Sequence, residues 1–362
     1  MNKELINKIK KNSSNELLAP LSNSKIHGHK DVIPTPIPML NVALSGSLDG
    51  GLTAGLTVIA GPSKHFKTSY ALLMASAFLK KYPEGVILFY DTEFGATAEY
   101  FKSFGIDPEK VVHIPVVNVE EFTSECVRQL HSLKREDKVF ILVDSIGNMP
   151  SRRELDNSLN ENFAQDMSRA KSIKASFRQM TSYLNTKDVP MVAINHTYQT
   201  QELYSKAVVS GGTGIYYSAD TILIIGRQQD KDGTEIKGWN FVINIEKSRV
   251  IKEKMKITIN VSYETGIMKW SGLLENALEG QYVAKPSNGW YSKVNQETGE
   301  MEDKKYREKD LINNGEFWRE LLANTDLAKY IEDKFTFGKG LMIQDDEIPL
   351  ENLTNDNEGE EE

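Results

Sequence analysis

The stretch Leu56-Thr-Val-Ile-Ala60, then Gly61-Pro-Ser-Lys-His-Phe-Lys-Thr68, then Tyr70 to Lys81 decides the fold. An apolar run, a turn opened by glycine and a helix-forming segment follow one another without a gap. Strand, loop, helix is the setting in which backbone N–H groups turn inward around a phosphate, with the positive end of the helix behind them. In that reading Gly61, Pro62, Ser63, Lys64, His65 and Phe66 wrap the phosphates. Lys67 reaches the β and γ phosphates, and the Thr68 hydroxyl ligates Mg²⁺. The full pattern, G-x-x-x-x-G-K-[ST], asks for glycine where this chain has Phe66. Glycine is needed only where φ is positive or the backbone touches a ligand; if residue 66 is helix-like, Phe costs little. The bland alternative is a chance Gly-x5-Lys-Thr at a helix start.

Working outward, short apolar runs alternate with helix-forming segments. Strands are expected at Leu56–Ala60, Val86–Asp91, Val111–Ile114, Val139–Asp144, Met191–Asn195 and Thr221–Ile225. Helices are expected at Lys67–Lys81, Thr97–Phe104, Val119–Leu133 and from about Asn160 to Leu184. Such a pattern predicts an α/β fold with a mainly parallel sheet covered by helices on both faces. After Gly226 the pattern changes, and Trp239–Glu246 and Lys254–Val261 read as antiparallel edge strands. No internal repeat is visible.

Two of these strands end in carboxylates, Asp91-Thr-Glu93 and Asp144-Ser. In an open parallel sheet, functional groups collect at the carboxyl ends of strands. Asp144 has the form of the acid that holds the Mg²⁺ shell, and Glu93 is set to orient or deprotonate a water. For either alone, a helix cap or a solvated turn is the commoner explanation. Met191–Asn195 is followed by His196, which is either a sensor of the γ phosphate or a satisfied structural histidine.

Two segments read as long loops, Gly147 to about Glu161 with Arg152 and Arg153, and Thr197 to Gly214 with Tyr198, Tyr204, Lys206, Gly211 and Gly212. Long loops inside a compact domain are usually functional or disordered. Cations and aromatics on them suit single-stranded nucleic acid, through phosphate attraction and base stacking. Arg169, early in the long helix, is grouped with these candidates. Lys247 and Arg249 lie on a late strand, where they are either a solvated edge or cations reaching a neighbour's nucleotide in trans.

The 362 residues suffice for two or three domains. No apolar run approaches the roughly 20 residues of a membrane span, and the N-terminus lacks a signal-peptide core. Cys126 is the only cysteine, which excludes an intrachain disulfide and a cysteine metal site. No membrane partner is expected, and the cell interior is the natural compartment. The formal charge is −8, but nine carboxylates lie in the last 19 residues, which leaves the body at +1. Local patches, not net charge, then decide its partners. The expected organisation is an N-terminal helix and extended arm (1–37), a core (38–270), a small C-terminal domain (271–343) with helical Asp310–Asp333, and an acidic disordered tail (344–362). The arm, with Leu5, Ile6 and Ile9 at helical spacing, packs on the body, on a neighbouring subunit, or serves as an ordinary linker.

Taken together, Gly61–Thr68, Leu88-Phe-Tyr-Asp-Thr-Glu-Phe-Gly95, Ile194-Asn-His-Thr-Tyr198 and Gly211-Gly-Thr-Gly214 resemble the RecA/Rad51 family of DNA recombinases, most closely its T4-type bacteriophage branch. The resemblance runs from about Asp31 to Trp290. Phe in place of the second loop glycine is a feature of that branch. The resemblance implies ATP and Mg²⁺ as cofactors, with Asp144 as the Walker B acid and Glu93 as catalytic glutamate. It implies Tyr100 stacked on adenine, with Thr97 near the base. His196 stands where bacterial RecA has glutamine, and Lys247 and Arg249 match cations that contact ATP across the subunit interface. The two loops match DNA-binding loops, and the arm matches one that docks on the next subunit.

The expectation is therefore a DNA-dependent ATPase that forms helical filaments on single-stranded DNA, pairs them with homologous duplex and exchanges strands. A single-strand-binding protein and a mediator or loader are expected partners, and the host cytoplasm is the expected location. Two other readings remain. A ring-forming helicase motor on the same fold would need an N-terminal module, for which residues 1–35 are too short. A non-catalytic mediator would have lost hydrolysis, yet Lys67, Thr68, Glu93 and Asp144 are all present.

Overall fold

The computed structural model describes residues 2–24, 26, 31–160, 168–200 and 207–337. The acidic tail, Tyr204, Lys206 and the first part of the expected long helix lie outside the described residues. In chain order the first elements are α1 (Asn2–Lys11), α2 (Pro38–Ser45), β1 (Gly55–Ala60), α3 (Lys67–Lys81), β2 (Val86–Asp91), α4 (Ala98–Ser103), β3 (Val111–Pro115), α5 (Val119–Ser132) and β4 (Val139–Asp144). Then follow α6 (Arg152–Leu159), α7 (Ser168–Thr186), β5 (Pro190–Asn195), β6 (Thr197–Gln199), β7 (Ala207–Val209), α8 (Thr213–Ser218), β8 (Thr221–Asp232), β9 (Glu235–Lys247), β10 (Lys256–Ser262) and β11 (Gly266–Ile267). The last are α9 (Leu273–Glu279), β12 (Val283–Ser287), β13 (Trp290–Lys293), β14 (Tyr306–Arg307), α10 (Glu308–Ile312), α11 (Gly315–Asn324) and α12 (Leu327–Phe335).

The main sheet has nine strands in the order β11-β10-β9-β8-β1-β5-β4-β2-β3. β3, β2, β4, β5, β1 and β8 run parallel, and β9 to β11 extend the sheet antiparallel. β1 shows why its residues make a central strand. All six are buried, and they alternate between two cores. Leu56, Val58 and Ala60 pack with Phe122 and Phe177 on one face, and Ile59 packs with Leu72 and Phe78 on the other. A strand covered on both faces has no polar side to show, so it reads as a continuous apolar run.

Caps set the helix ends. Pro38 opens α2 at its first turn, and Gly46 closes it at φ 84°. The Asn118 side chain accepts the Glu121 N–H at the start of α5. Asp31 to Ile37 is non-helical, as its prolines require, and Ile33 bridges to Leu52, but Pro38, expected to be extended as well, is already the first residue of α2. Asp31 receives Lys81 at 2.6 Å and the Tyr82 hydroxyl, which ties the root of the arm to the body. In α1, Leu5 and Ile9 stay exposed, so the helix does not bury its apolar side on its own chain.

Three expectations need correction. The segment after β4 is not wholly a loop: Ser151 and Glu154 form a reciprocal capping box that starts α6. β8 does not stop at Ile225 but runs on to Asp232, making a long hairpin with β9. Asp310–Asp333 is three helices, because Asn314 caps α11 through the Phe317 N–H and Thr325 breaks the run before α12. Around these helices Trp318, Leu321, Ile331 and Phe335 join the same apolar cluster as Leu40 and Phe78, so the C-terminal segment packs continuously on the body.

Candidate functional site

The carboxyl ends of β1, β5, β4 and β2 lie side by side. Ala60 is in register with Asn195, and Asp91 with Asp144. A cleft of about 350 Å³ opens there, lined by Ser63 to Ser69 with Glu93, Gly95, Tyr100, Asp144 and His196. Gly61, at φ 158°, starts the loop under the sheet edge, where a Cβ would stand 2.8 Å from the Ile225 carbonyl oxygen. The expected loop residues are thus gathered at the amino end of α3, whose free N–H groups face the cleft.

Phe66 overturns the expectation of a helix-like conformation. It is the N-cap of α3 and sits in the left-handed region at φ 61°, ψ 18°, and Lys64 is left-handed too at φ 62°. A left-handed non-glycine residue costs about 1–2 kcal/mol. The loop therefore keeps the shape that glycine normally permits and holds it with a ring instead. Phe66 stacks on Phe241 at 4.9 Å between centroids and meets Tyr70 edge-on.

Lys67 is buried, and its ammonium donates to the Pro62 carbonyl at 2.8 Å. Burial lowers its pKa, while Glu93 and Asp144 push the other way. The Thr68 hydroxyl donates to Asp144 Oδ2 at 2.8 Å. Asp144 Oδ1 is buried without a hydrogen-bond partner among the described residues. Burial, aided by Glu93 and Asp91 and opposed by Thr68 and Lys67, pushes this carboxyl up to about 6. An orphaned buried carboxylate oxygen next to a hydroxyl is a hard oxygen donor set, and Thr68 with Asp144 fits Mg²⁺.

Glu93 Oε1 accepts the Ser145 hydroxyl at 2.5 Å and His196 Nε2 at 3.0 Å. The His196 hydrogen bond chiefly, with help from Ser145 and Lys67, outweighs burial and holds this carboxyl below its usual range. His196 also sits against the segment after β4: a Cβ at Gly147 would meet its ring at 2.3 Å. Its carbonyl accepts the Ser210 N–H, and Asn195 donates to the Ser210 carbonyl at 2.7 Å. His196 therefore touches the carboxylate, the segment after β4 and the end of the β6–β7 segment at once.

Tyr100 lines the cleft and shares a 2.6 Å hydrogen bond with the Ser69 hydroxyl. Thr97 does not line it. Its side chain caps α4 by accepting the Tyr100 N–H, and it borders a separate apolar cavity with Phe89, Phe101 and His113. Its capping role competes with the expected contact to the base.

Lys247 and Arg249 are far from this cleft. Lys247 pairs with Ile222, whose neighbour on β1 is Val58, and the chain then runs on toward the opposite end of the sheet. Lys247 donates to the carbonyls of Tyr216 and Ala219, and Arg249 to Asp220 at 2.5 Å. Asp220 in turn accepts the Leu56 N–H at the start of β1. The six residues of β1, at about 3.3 Å each, separate the two ends.

Of the loop candidates, Arg152 and Arg153 are exposed at the start of α6, and Tyr198 is exposed on β6. Gly211 and Gly212 take φ 92° and 76°, which their residue type permits, just before α8. β6 and β7 pair as an antiparallel ribbon rather than a plain loop. Arg169 differs from the expectation: its guanidinium donates to the carbonyls of Ile146, Gly147 and Met149. It staples the segment after β4 from within, with Nε and Nη2 committed to backbone carbonyls rather than turned to a ligand.

Three residues escaped the sequence reading. Ser145, beside Asp144, holds Glu93. Asp91 accepts the Glu93 and Phe94 N–H groups and His113 at 3.1 Å, fixing the turn that carries Glu93. Asp220 holds Arg249. The first two were signalled by their places at strand ends; the third has no local signal.

The comparisons match this geometry. The family model of the RecA N-terminal domain matches residues 2–268, and that of the bacteriophage T4 recombination and repair protein C-terminal domain matches residues 270–331. The recombination and repair protein (UvsX) of Enterobacteria phage T4 is 47% identical over 339 residues, covering 92% of this chain and 86% of that protein. Protein RecA of Mycobacteroides abscessus is 26% identical over 325 residues, covering 88% and 87%. Protein RecA of Clavibacter michiganensis is 26% identical over 317 residues, covering 86% and 81%. With a strand–loop–helix turn of phosphate-loop form, two acids on neighbouring strand ends and matches along nearly its whole length, the chain belongs to the RecA family of recombination proteins, in the branch of the phage T4 protein.

Proposed function

We propose that the chain is an ATP-dependent recombinase that assembles head to tail on single-stranded DNA, pairs it with a homologous duplex and exchanges strands. The observation that carries the reading is the pair of half-buried Thr68 and buried Asp144, with a carboxylate oxygen unpartnered among the described residues, beside Lys67 and Glu93 in one cleft.

In that cleft the loop amides and Lys67 hold the phosphates of ATP. Thr68 and Asp144 hold Mg²⁺, which when bound neutralises charge on the β and γ phosphates. Glu93 accepts a proton from water as its oxygen bonds the γ phosphorus and the bond to the β-phosphate oxygen breaks, leaving ADP and phosphate. Tyr100 packs against the adenine. Lys247 and Arg249 serve the ATP of the next subunit, since their own cleft lies at the other end of the sheet. His196 links Glu93 to the segments after β4 and β5, where Arg152, Arg153, Tyr198, Lys206, Gly211 and Gly212 would meet DNA.

Base pairing supplies recognition in strand exchange, so the protein reads only backbone and shape. The arm of residues 1–37, with Leu5 and Ile9 exposed, docks on the neighbouring subunit. A small C-terminal domain spans 271–343, and the acidic tail, 344–362, lies outside the described residues. A single-strand-binding protein and a loader are the expected partners, in the host cytoplasm; no helix among the described residues is long and apolar enough to cross a membrane.

The test is electron microscopy of the protein with single-stranded DNA and a slowly hydrolysed ATP analogue. Continuous helical filaments, with strand exchange in solution, are expected. Closed rings or isolated particles under these conditions overturn the reading.

A further inference from the structure

The phosphate loop is left-handed at two non-glycine residues, Lys64 and Phe66. Such a conformation persists only where the surroundings over-determine it. The surroundings here are the β8–β9 hairpin. Phe241, itself buried, stacks under the Phe66 ring at an interplanar angle of 19°, and Tyr70 closes the third side edge-on to both. Directly across the ladder from Phe241, Arg227 donates through Nη1 to the Lys64 carbonyl at 3.1 Å. The guanidinium is held over the Trp239 ring at 4.4 Å, and Trp239 Nε1 donates to the Tyr263 hydroxyl at 2.7 Å. One hairpin thus grips the loop at both strained residues. Neither Arg227 nor Phe241 lines the nucleotide cleft.

We propose that Arg227 and Phe241 are positioning residues for the phosphate loop. They do from the hairpin what a glycine at position 66 does from within a loop, and they set the affinity for the nucleotide without touching it. The inference rests on the reading of the cleft as an ATP site. Phe66 is then not a tolerated defect. It is one half of an aromatic pair whose other half arrives from a distant strand, and the two are expected to be worth more together than apart.

The experiment is a double-mutant cycle on the full chain, read by the affinity for a fluorescent ATP analogue with Mg²⁺ and by KM and kcat of DNA-stimulated hydrolysis. Phe241→Leu is expected to weaken nucleotide binding and raise KM by about three- to tenfold with kcat nearly unchanged. In a Phe66→Gly background, where the loop no longer needs the ring, the same substitution is expected to shift affinity by less than about twofold. Arg227→Ala, at an exposed position that leaves the core intact, is expected to raise KM in the same sense, with Arg227→Lys intermediate because it keeps a donor but loses the stacked plane. Equal penalties for Phe241→Leu in both backgrounds overturn the proposal, as does a lowered melting temperature with KM unchanged for both Phe241→Leu and Arg227→Ala. A parent chain that binds no Mg²⁺-nucleotide overturns the ATP reading and the proposal with it, whereas a binding parent with an uncoupled cycle overturns the proposal alone.

Discussion

The two ends of the central sheet are built on opposite principles. At the carboxyl end of β1, Lys67 and Asp144 are buried, 8% and 5% exposed, each on a neutral partner, and the more exposed Glu93 is held by two side chains. At the other end, Arg249 is 64% exposed at its side chain, and it and Lys247 rest on Asp220 and backbone carbonyls. On the proposed reading one end receives phosphate, and the other carries the cations that serve a neighbour's nucleotide. Because the halves face opposite ways, one copy cannot use both on one nucleotide. A site completed across copies must be head to tail, a heterologous contact that propagates as a ring or a filament.

The comparison breaks first at Lys67. Lys67→Ala is expected to lower DNA-stimulated phosphate release by about 10³-fold or more; near-normal release would mean that the buried end is not the phosphate end. Glu93→Gln is expected to cost about 10²- to 10³-fold in kcat while nucleotide affinity is largely kept. A loss of affinity of similar size would recast Glu93 as a binding group. Next is Lys247→Ala, expected to cost about 10²-fold in hydrolysis on DNA, less than a lone cation in trans because Arg249 remains. Mixing Lys247→Ala with Lys67→Ala protein sharpens the point. Some interfaces then pair an intact loop with intact cations, so activity should reappear on mixing. Silence in the mixture would place both groups in one copy's site.

The smallest expected effect concerns Asp144. Its pKa is raised in the folded chain to about 6, so this carboxyl favours the fold below its unfolded value and loses that contribution as pH rises toward 6. Mg²⁺ needs the carboxylate form. The Mg²⁺ concentration for half-maximal nucleotide binding should therefore climb about tenfold per pH unit below 6 and level off above it. A flat Mg²⁺ requirement from pH 5 to 8 would remove Asp144 as the ligand.

Much of this arrangement is legible in the residues. The central strands β1, β4 and β5 are short apolar runs, and burial on both faces leaves no other sequence for them to have, whereas the edge strand β3 is partly exposed and carries His113. Glu93 and Asp144 are legible because they interrupt apolar strands at their ends. The conformation of Phe66 is not, since its stacking partner Phe241 belongs to a strand that only the folded sheet brings near. Arg249 reads as a cation, but its resting partner Asp220 is set by the turn into β8. The start of α6 was legible in principle, as Ser151 and Glu154 stand at capping-box spacing. Two arginines between them drew the reading toward a nucleic-acid loop instead.

Cys126 has a practical consequence. It is fully buried in α5 beside Tyr90, and burial pushes its thiol up to about 12. At neutral pH it offers no thiolate to a maleimide. The chain is thus a natural blank for labelling. A cysteine set on the β8–β9 hairpin or on α6 would be the sole reactive thiol, and a dye there would follow nucleotide binding from the hairpin or DNA from α6, both beside the carboxyl end of the sheet, without first editing the core.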